Sequence, residues 1–297
     1  MTAAVQSVQF QTESPLVRNL RQFATSRLSL ISALVVLAFC VLAIFAPWIA
    51  PHDPNETDLF LRLQPPFWME GGDIAYPLGC DALGRDILSR IIYGSRVSIF
   101  IGLVVILLAT AVGILAGLAS GYLGGKVDIV ISRIVDILLG FPYLIFAIAL
   151  MAMLGPGLQN IVLALVYKEW VIPCRVVRGE TLAAREVEYV EAARAAGASG
   201  RYIMLREILP NILSPVIVVS TVRMANVIIL EASLSFLGLG VQPPTASWGA
   251  MVADGRVFML EAWWVSTFPG LAILLLVLAL NVASQGLRDA FDPKFHD

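Results

Sequence analysis

The stretch Glu191-Ala192-Ala193-Arg194-Ala195-Ala196-Gly197, closed by Ile208-Leu209-Pro210, is polar, dense in charge and helical in character. It lies between long apolar runs. From Glu180 to Glu207 there is no proline and few β-branched residues, which suits helices. Gly197 fits the left-handed position that ends one helix. Ser199 can then cap the next. Pro210 is expected at the start of an apolar span, where its missing N–H is harmless. A helix–turn–helix that must stay in water therefore interrupts a chain that otherwise prefers lipid.

The rest of the chain supplies that preference. Of its 297 residues, 58% are hydrophobic and 14% charged, well below the charge content of soluble domains. The net charge of −2 offers no basic field for nucleic acid. About 20 apolar residues cross the hydrocarbon core as a helix. Leu28–Ala50 and Val97–Gly125 are uncharged and read as the first two spans. The uncharged run Ile137–Tyr167 is broken by Leu154-Gly155-Pro156-Gly157, predicting spans over roughly Ile131–Leu154 and Leu158–Ile172. Asn211–Leu237 and Val265–Leu287 complete six. Six spans put both termini on one side. With those termini inside, the outer segments hold only Arg62, Arg85, Arg90, Arg96 and Arg256 of the 20 Lys and Arg, apart from Arg223 within a span. That asymmetry favours N-in and C-in. The expected layout is an inner tail over 1–27, a first helix over 28–50, an outer segment over 51–95, a core over 96–287 with an inner loop over 173–210, and an inner tail over 288–297. The polar start, residues 1–17, lacks signal-peptide features, so the first span is expected to be retained.

Finer features predict local structure. Prolines keep the outer segment irregular up to about Asp81. Leu83–Ile92 then reads as a short amphipathic helix, either on the membrane surface with Arg85 and Arg90 snorkelling or packed under a vestibule. Gly113, Gly117 and Gly121 recur every four residues between Ala109 and Gly125, a stripe that permits close helix packing in lipid. Trp48, Trp248, Trp263 and Trp264 suit an outer aromatic belt. Cys40, Cys80 and Cys174 have no metal-type spacing, and Cys80 is the one expected outside.

Several chemistries are excluded. The two histidines, His52 and His296, are far apart, which removes most nucleophile and metal arrangements. No catalytic residues and no metal ligands are expected. No phosphate-binding loop is present: Val127 follows Gly125-Lys126, where such a loop needs Ser or Thr. The intramembrane charges Arg223 and Glu231 are about 12 Å apart along one helix and cannot pair with each other. They are candidates for the translocation path, with pairing to another helix as the alternative.

The segment from Glu191 to Pro210 resembles the coupling loop of ABC-importer permeases. The likeness extends through Pro77-Leu78-Gly79-Cys80-Asp81, Leu83 to Arg90, Gly121-Tyr122 with Gly124-Gly125, Phe141-Pro142 and Ile208-Leu209-Pro210-Asn211. It continues through Ala232 to Gly240, Gln242-Pro243-Pro244, Ser247-Trp248-Gly249, Gly286 to Asp289 and Asp292-Pro293. These motifs cover about Leu28 to Pro293 and resemble the second permease of the dipeptide/oligopeptide/nickel branch. Departures are Glu207, Cys80 where the branch has Thr, and the charged Lys168-Glu169-Trp170.

The resemblance implies an all-α membrane protein with the ABC transmembrane type-1 fold, in the bacterial cytoplasmic (inner) membrane. The implied partners are a homologous second permease, two cytoplasmic ATPase subunits holding ATP and Mg, an extracytoplasmic solute-binding protein and the lipid bilayer. Glu191, Ala192, Ala193, Arg194, Gly197, Ile208, Leu209 and Pro210 would couple to an ATPase groove. No cofactor would bind this chain. The implied cargo is peptide, with nickel chelate, glutathione or oligosaccharide as alternatives. An ion-coupled carrier is the reading from another class.

Overall fold

The structure is a computed structural model that describes residues 22–291. Most of the two terminal tails, expected on the inner side, therefore lies outside the described residues, including Arg18, Arg21, Asp292-Pro293, Lys294 and His296. Among the described residues, helices carry the whole architecture. They are α1 (Arg27–Ile49), α2 (Ile87–Leu123), α3 (Gly125–Gly140), α4 (Tyr143–Leu154), α5 (Leu158–Glu169), α6 (Val171–Ala184) and α7 (Glu188–Ala195). The long α8 (Gly200–Phe236), α9 (Trp248–Gly255) and α10 (Trp264–Phe291) complete them.

Helices α1, α2, α8 and α10 are each long and apolar enough to cross a membrane, and α3 with α4 forms a fifth candidate bent by 93°. The outward faces of the long helices are dominated by Leu, Ile and Val, as in Leu34, Leu107, Leu115 and Leu274. Such faces suit lipid, where all backbone polar groups must be satisfied within helices. The fourth expected span is represented by α5, only 12 residues long, which runs through the helical Trp170 into α6.

Helix α2 is the axis of the bundle and packs against α1, α3, α5, α6 and α8. At 37 residues it is about 55 Å long, more than the hydrocarbon thickness. The expected separate amphipathic helix over Leu83–Ile92 does not form. Asp86 caps α2, accepting from the N–H groups of Leu88 and Ser89, so Ile87–Ile92 is the first turn and a half of the span itself. Leu83 and Gly84 form a turn closed by Asp81. The two arginines do not snorkel. Arg85 Nε donates to Asp81 at 2.7 Å, and buried Arg90 donates to the carbonyl of Pro54 at 2.9 Å. Prolines do keep 51–86 irregular, apart from one 3-10 turn over Leu59–Leu61.

Three further expectations are corrected. First, Ile131–Leu154 is not one straight helix. Phe141 precedes Pro142, which disfavours the helical region for Phe141, and its backbone is extended (φ −89°, ψ 134°). Second, Pro210 does stand in the first turn of a regular α-helix, Leu209–Phe236, but the helical rod does not begin there: α8 starts ten residues earlier, at Gly200. A π-helical turn over Ile203–Ile208 precedes the proline, and the Leu209 N–H bonds Met204, five residues back. That widening accommodates a residue that otherwise clashes with the carbonyl four back. Third, the tryptophan belt is only partial. Trp48 is exposed and Trp263 partly so, but Trp248 and Trp264 are buried, their indole N–H groups donating to Ile91 O and Cys80 O. Cys80 is likewise fully buried, in an isolated bridge with Asp86.

Candidate functional site

Two regions hold the residues singled out above. The first lies at the C-terminal end of α2. There α7 is a two-turn helix with Glu188 and Glu191 in its first turn and Arg194 in its last, each matching the helix dipole. It ends in a Schellman turn: Gly197 N–H bonds Arg194 O, and Ala198 N–H bonds Ala193 O, both at 3.0 Å. Gly197 sits at φ +81° with open space where a Cβ would stand, so backbone conformation and not crowding requires glycine. Ser199 then caps α8 by accepting from Tyr202 N–H.

Helix α7 turns one residue firmly inward. Val190 is fully buried with Leu118, Val177, Ile203, Ile208 and Ile212. Glu191, Ala192, Arg194 and Gly197 are exposed, and Ala193 is partly so. The result is an open surface of small residues, edged by charge. Ile208 belongs to the buried side of this unit, Leu209 is half-buried and Pro210 is exposed. Ile208 thus anchors the segment to its own chain.

Behind α7, the glycine stripe sets α2 against α6. A Cβ at Gly113 would stand 2.7 Å from Pro173, at Gly117 2.6 Å from Val177 and at Gly121 2.7 Å from Thr181. No side chain fits at any of the three without displacement. A polar tie reinforces the contact. Arg178 on α6 binds Asp128 on α3 through two bonds of 2.5 and 2.7 Å, and Asp128 also accepts from Ser120 at the end of α2 and from Ser132. Arg185 reaches the carbonyl of Gly121 at 3.2 Å. The sequence motifs did not single out Asp128 and Arg178; their separation of 50 residues hides the pair.

The second region is the interior of the spans. Arg223 does not face Glu231. It forms a two-bond ion pair with Glu169 on α5, its Nη2 at 2.9 Å from the carboxylate. Glu169 is fully buried. Glu231 is also fully buried, accepting from Ser98 on α2 at 3.2 Å and from Ser235 at 2.8 Å. Both charges therefore have partners within this chain, as charges in membranes generally do. The charged departure at Lys168-Glu169 was the signal that could have found the Arg223 partner. Among the described residues, no cluster of His, Cys, Asp and Glu could hold a metal ion.

This arrangement, an exposed small-residue helix braced on a membrane bundle, matches a known family over most of the chain. Residues 109–297 match the model of the binding-protein-dependent transport system inner membrane component. The chain belongs to that family. Residues 14–66 match the N-terminal transmembrane domain of oligopeptide transport permease C. The chain is 44% identical to the di/tripeptide transport system permease protein DppC of Pseudomonas aeruginosa, over 95% of this chain and 93% of that one. It is 44% identical to the dipeptide transport system permease protein DppC of Haemophilus influenzae, over 96% and 97%. It is also 44% identical to the probable D,D-dipeptide transport system permease protein DdpC of Escherichia coli, over 91% and 88%. Among solved structures, a chain of the inward-facing MetNI methionine ABC transporter shares the fold, with TM-score 0.55 and 18% identity, over 68% of this chain and 97% of that one. As a family member, the chain is a permease subunit of a bacterial ABC importer, lodged in the inner membrane.

Proposed function

We propose that this permease moves di- and oligopeptides inward across the membrane by alternating access, driven by ATP hydrolysed elsewhere. The observation that carries the cargo is the 44% identity, over nearly the whole length, to permeases named for dipeptides. The chain has no phosphate-binding loop, so ATP and Mg2+ belong to two ATPase subunits on the inner side. A homologous second permease completes the pore, and a solute-binding protein delivers the peptide from outside.

In this reading the chain crosses the membrane six times with both termini inside. The spans are α1, α2, the bent α3–α4, α5 continued by α6, α8 and α10. The inner face then carries α7. Glu191, Ala192, Ala193, Arg194 and Gly197 enter an ATPase groove, where the alanines permit close approach and Arg194 supplies charge. Leu209 and Pro210 border it, with Ile208 behind. Closure of the ATPases swings α7, and the brace of Gly113, Gly117, Gly121 and the Asp128–Arg178 pair passes that movement to α2 and α3. Arg223 and Glu231 flank the path within the spans and shape it through their partners.

The test is uptake of a labelled dipeptide into proteoliposomes that hold this chain, its second permease and the ATPase pair, with the solute-binding protein inside or outside. Uptake that needs both ATP and the binding protein is expected. Uptake driven by an ion gradient without the ATPases would overturn the reading. ATP-dependent uptake of nickel chelate, glutathione or oligosaccharide, with none of peptide, would overturn the cargo alone.

A further inference from the structure

The break between α3 and α4 is the sharpest feature among the spans, with the two helices nearly perpendicular at 93°. A break within a span frees backbone carbonyls that need partners of their own. One of them, Phe141 O, has a partner: it accepts a hydrogen bond from the ammonium of Lys168. Lysine at the end of a span ordinarily extends toward water. Lys168 does the reverse and is only 6% exposed. Its ammonium stands 5.2 Å above the ring of Tyr143, the first residue of α4. The hydroxyl of that tyrosine donates to Leu165 O at 2.9 Å, so it returns to the same turn of α5 that carries Lys168.

Neighbouring contacts fix that turn on both sides. Glu169, next in sequence, is held to α8 by the Arg223 pair. Tyr167, just before, stacks on Phe146 of α4 with centroids 5.5 Å apart and planes at 14°. Three consecutive residues of α5 thus reach three targets: Tyr167 the first turn of α4, Lys168 the break itself, and Glu169 the helix α8. Proline explains why the helix stops at Phe141. It does not explain the angle at which the chain resumes.

We propose that Lys168 is the positioning residue of the broken span. Its ammonium, bound to the freed carbonyl of Phe141 and seated on Tyr143, holds α3 and α4 at their right angle, and the Glu169–Arg223 pair ties the α5 turn that carries Lys168 to α8. The bend is then one setting of the pore, and loss of Lys168 releases it toward a straighter one. The assignment is independent of which solute is carried and of how α7 meets an ATPase.

The test measures the bend itself. Spin labels at Val127→Cys and Met153→Cys, both exposed and near the far ends of α3 and α4, report the angle by pulsed dipolar spectroscopy. The native cysteines are replaced by alanine, and the chain is studied in its assembled transporter. From helix rise, the two labelled positions should stand about 28 Å apart when bent and about 39 Å apart when straight. Losing one charge-assisted hydrogen bond should move the bent-to-straight ratio by roughly tenfold or more. Lys168→Met is expected to shift the distribution to longer distances, and Lys168→Arg, which can still donate to a carbonyl, to keep the short one. If the Met variant does not accumulate, Lys168→Leu, which likewise lacks a donor, must shift the distribution in the same direction. An unchanged distribution without the ammonium, or equal shifts in the Met and Arg variants, would overturn the proposal. Uptake can fail in either case without bearing on this outcome.

Discussion

Helix α7 and the turn of α5 at Tyr167–Glu169 are opposites. The first keeps small and charged residues exposed, with one buried valine to attach it and a glycine turn to end it. The second takes charges into the apolar bundle and pairs each with a group from a distant part of the chain. On α7 polarity is exposed, and at the α5 turn it is buried and paired. The same residue types, Glu and Arg, therefore carry different weights. On α7 they rest in water and contribute little to stability. At Glu169 and Arg223 the loss of either leaves an uncompensated charge in the membrane interior.

The largest effect expected from that difference is on Glu169. Glu169→Ala should destabilise the chain by about 4 kcal/mol, because Arg223 is then left without its partner. Glu191→Ala, made on α7 as its counterpart, should change stability by under about 0.5 kcal/mol. Thermal unfolding in detergent measures both. Similar shifts in the two would break the contrast. The double replacement of Glu169 by Leu and Arg223 by Met should recover most of the loss.

The glycine brace comes next. Gly117→Val places a Cβ and two methyl groups against Val177, where the Cβ alone would stand at 2.6 Å. A cost of about 2 kcal/mol is expected, with weakened α2–α6 packing. The same assay checks it, and a neutral Gly117→Val would mean that the close approach is not required.

The smallest effect concerns Cys80, in the segment before α2. Burial pushes its thiol up to about 12, with Asp86, Asp81 and Asp58 adding to the shift. Because the raised value disfavours the thiolate, only about 0.1% would be ionised even at pH 9. Native chain should therefore leave Cys80 unlabelled by a maleimide from pH 7 to pH 9, with labelling only after denaturation. Labelling that rises with pH over that range would show the segment to be open.

What was legible in the sequence follows the same division. The first span read to within a residue, Leu28–Ala50 against Arg27–Ile49, and the last to within four, Val265–Leu287 against Trp264–Phe291. A single uncharged run decides such a helix. The turn at Gly197 read correctly because glycine at a positive φ is a local demand. Long-range partners did not read. Arg223 and Glu169 are 54 residues apart, and Trp248 and Ile91 are 157 apart, so no local pattern marks either contact. Residue type alone put Trp264 in an interfacial belt and left Arg90 between snorkelling and packing, and the folded segment over 51–86 buries both. The bend at Phe141-Pro142 was masked by hydropathy, which continues across it.

The central claim is that α7 transmits force only if its turn is intact. Gly197→Val costs about 2 kcal/mol in backbone strain at the positive φ, but a Cβ there meets no neighbour and the turn is exposed, so insertion and folding should survive. The direct measurement is peptide taken up per ATP hydrolysed, with Gly197→Val beside wild type in the reconstituted transporter. The account predicts continued hydrolysis with uptake per ATP reduced at least tenfold. An unchanged ratio would contradict it.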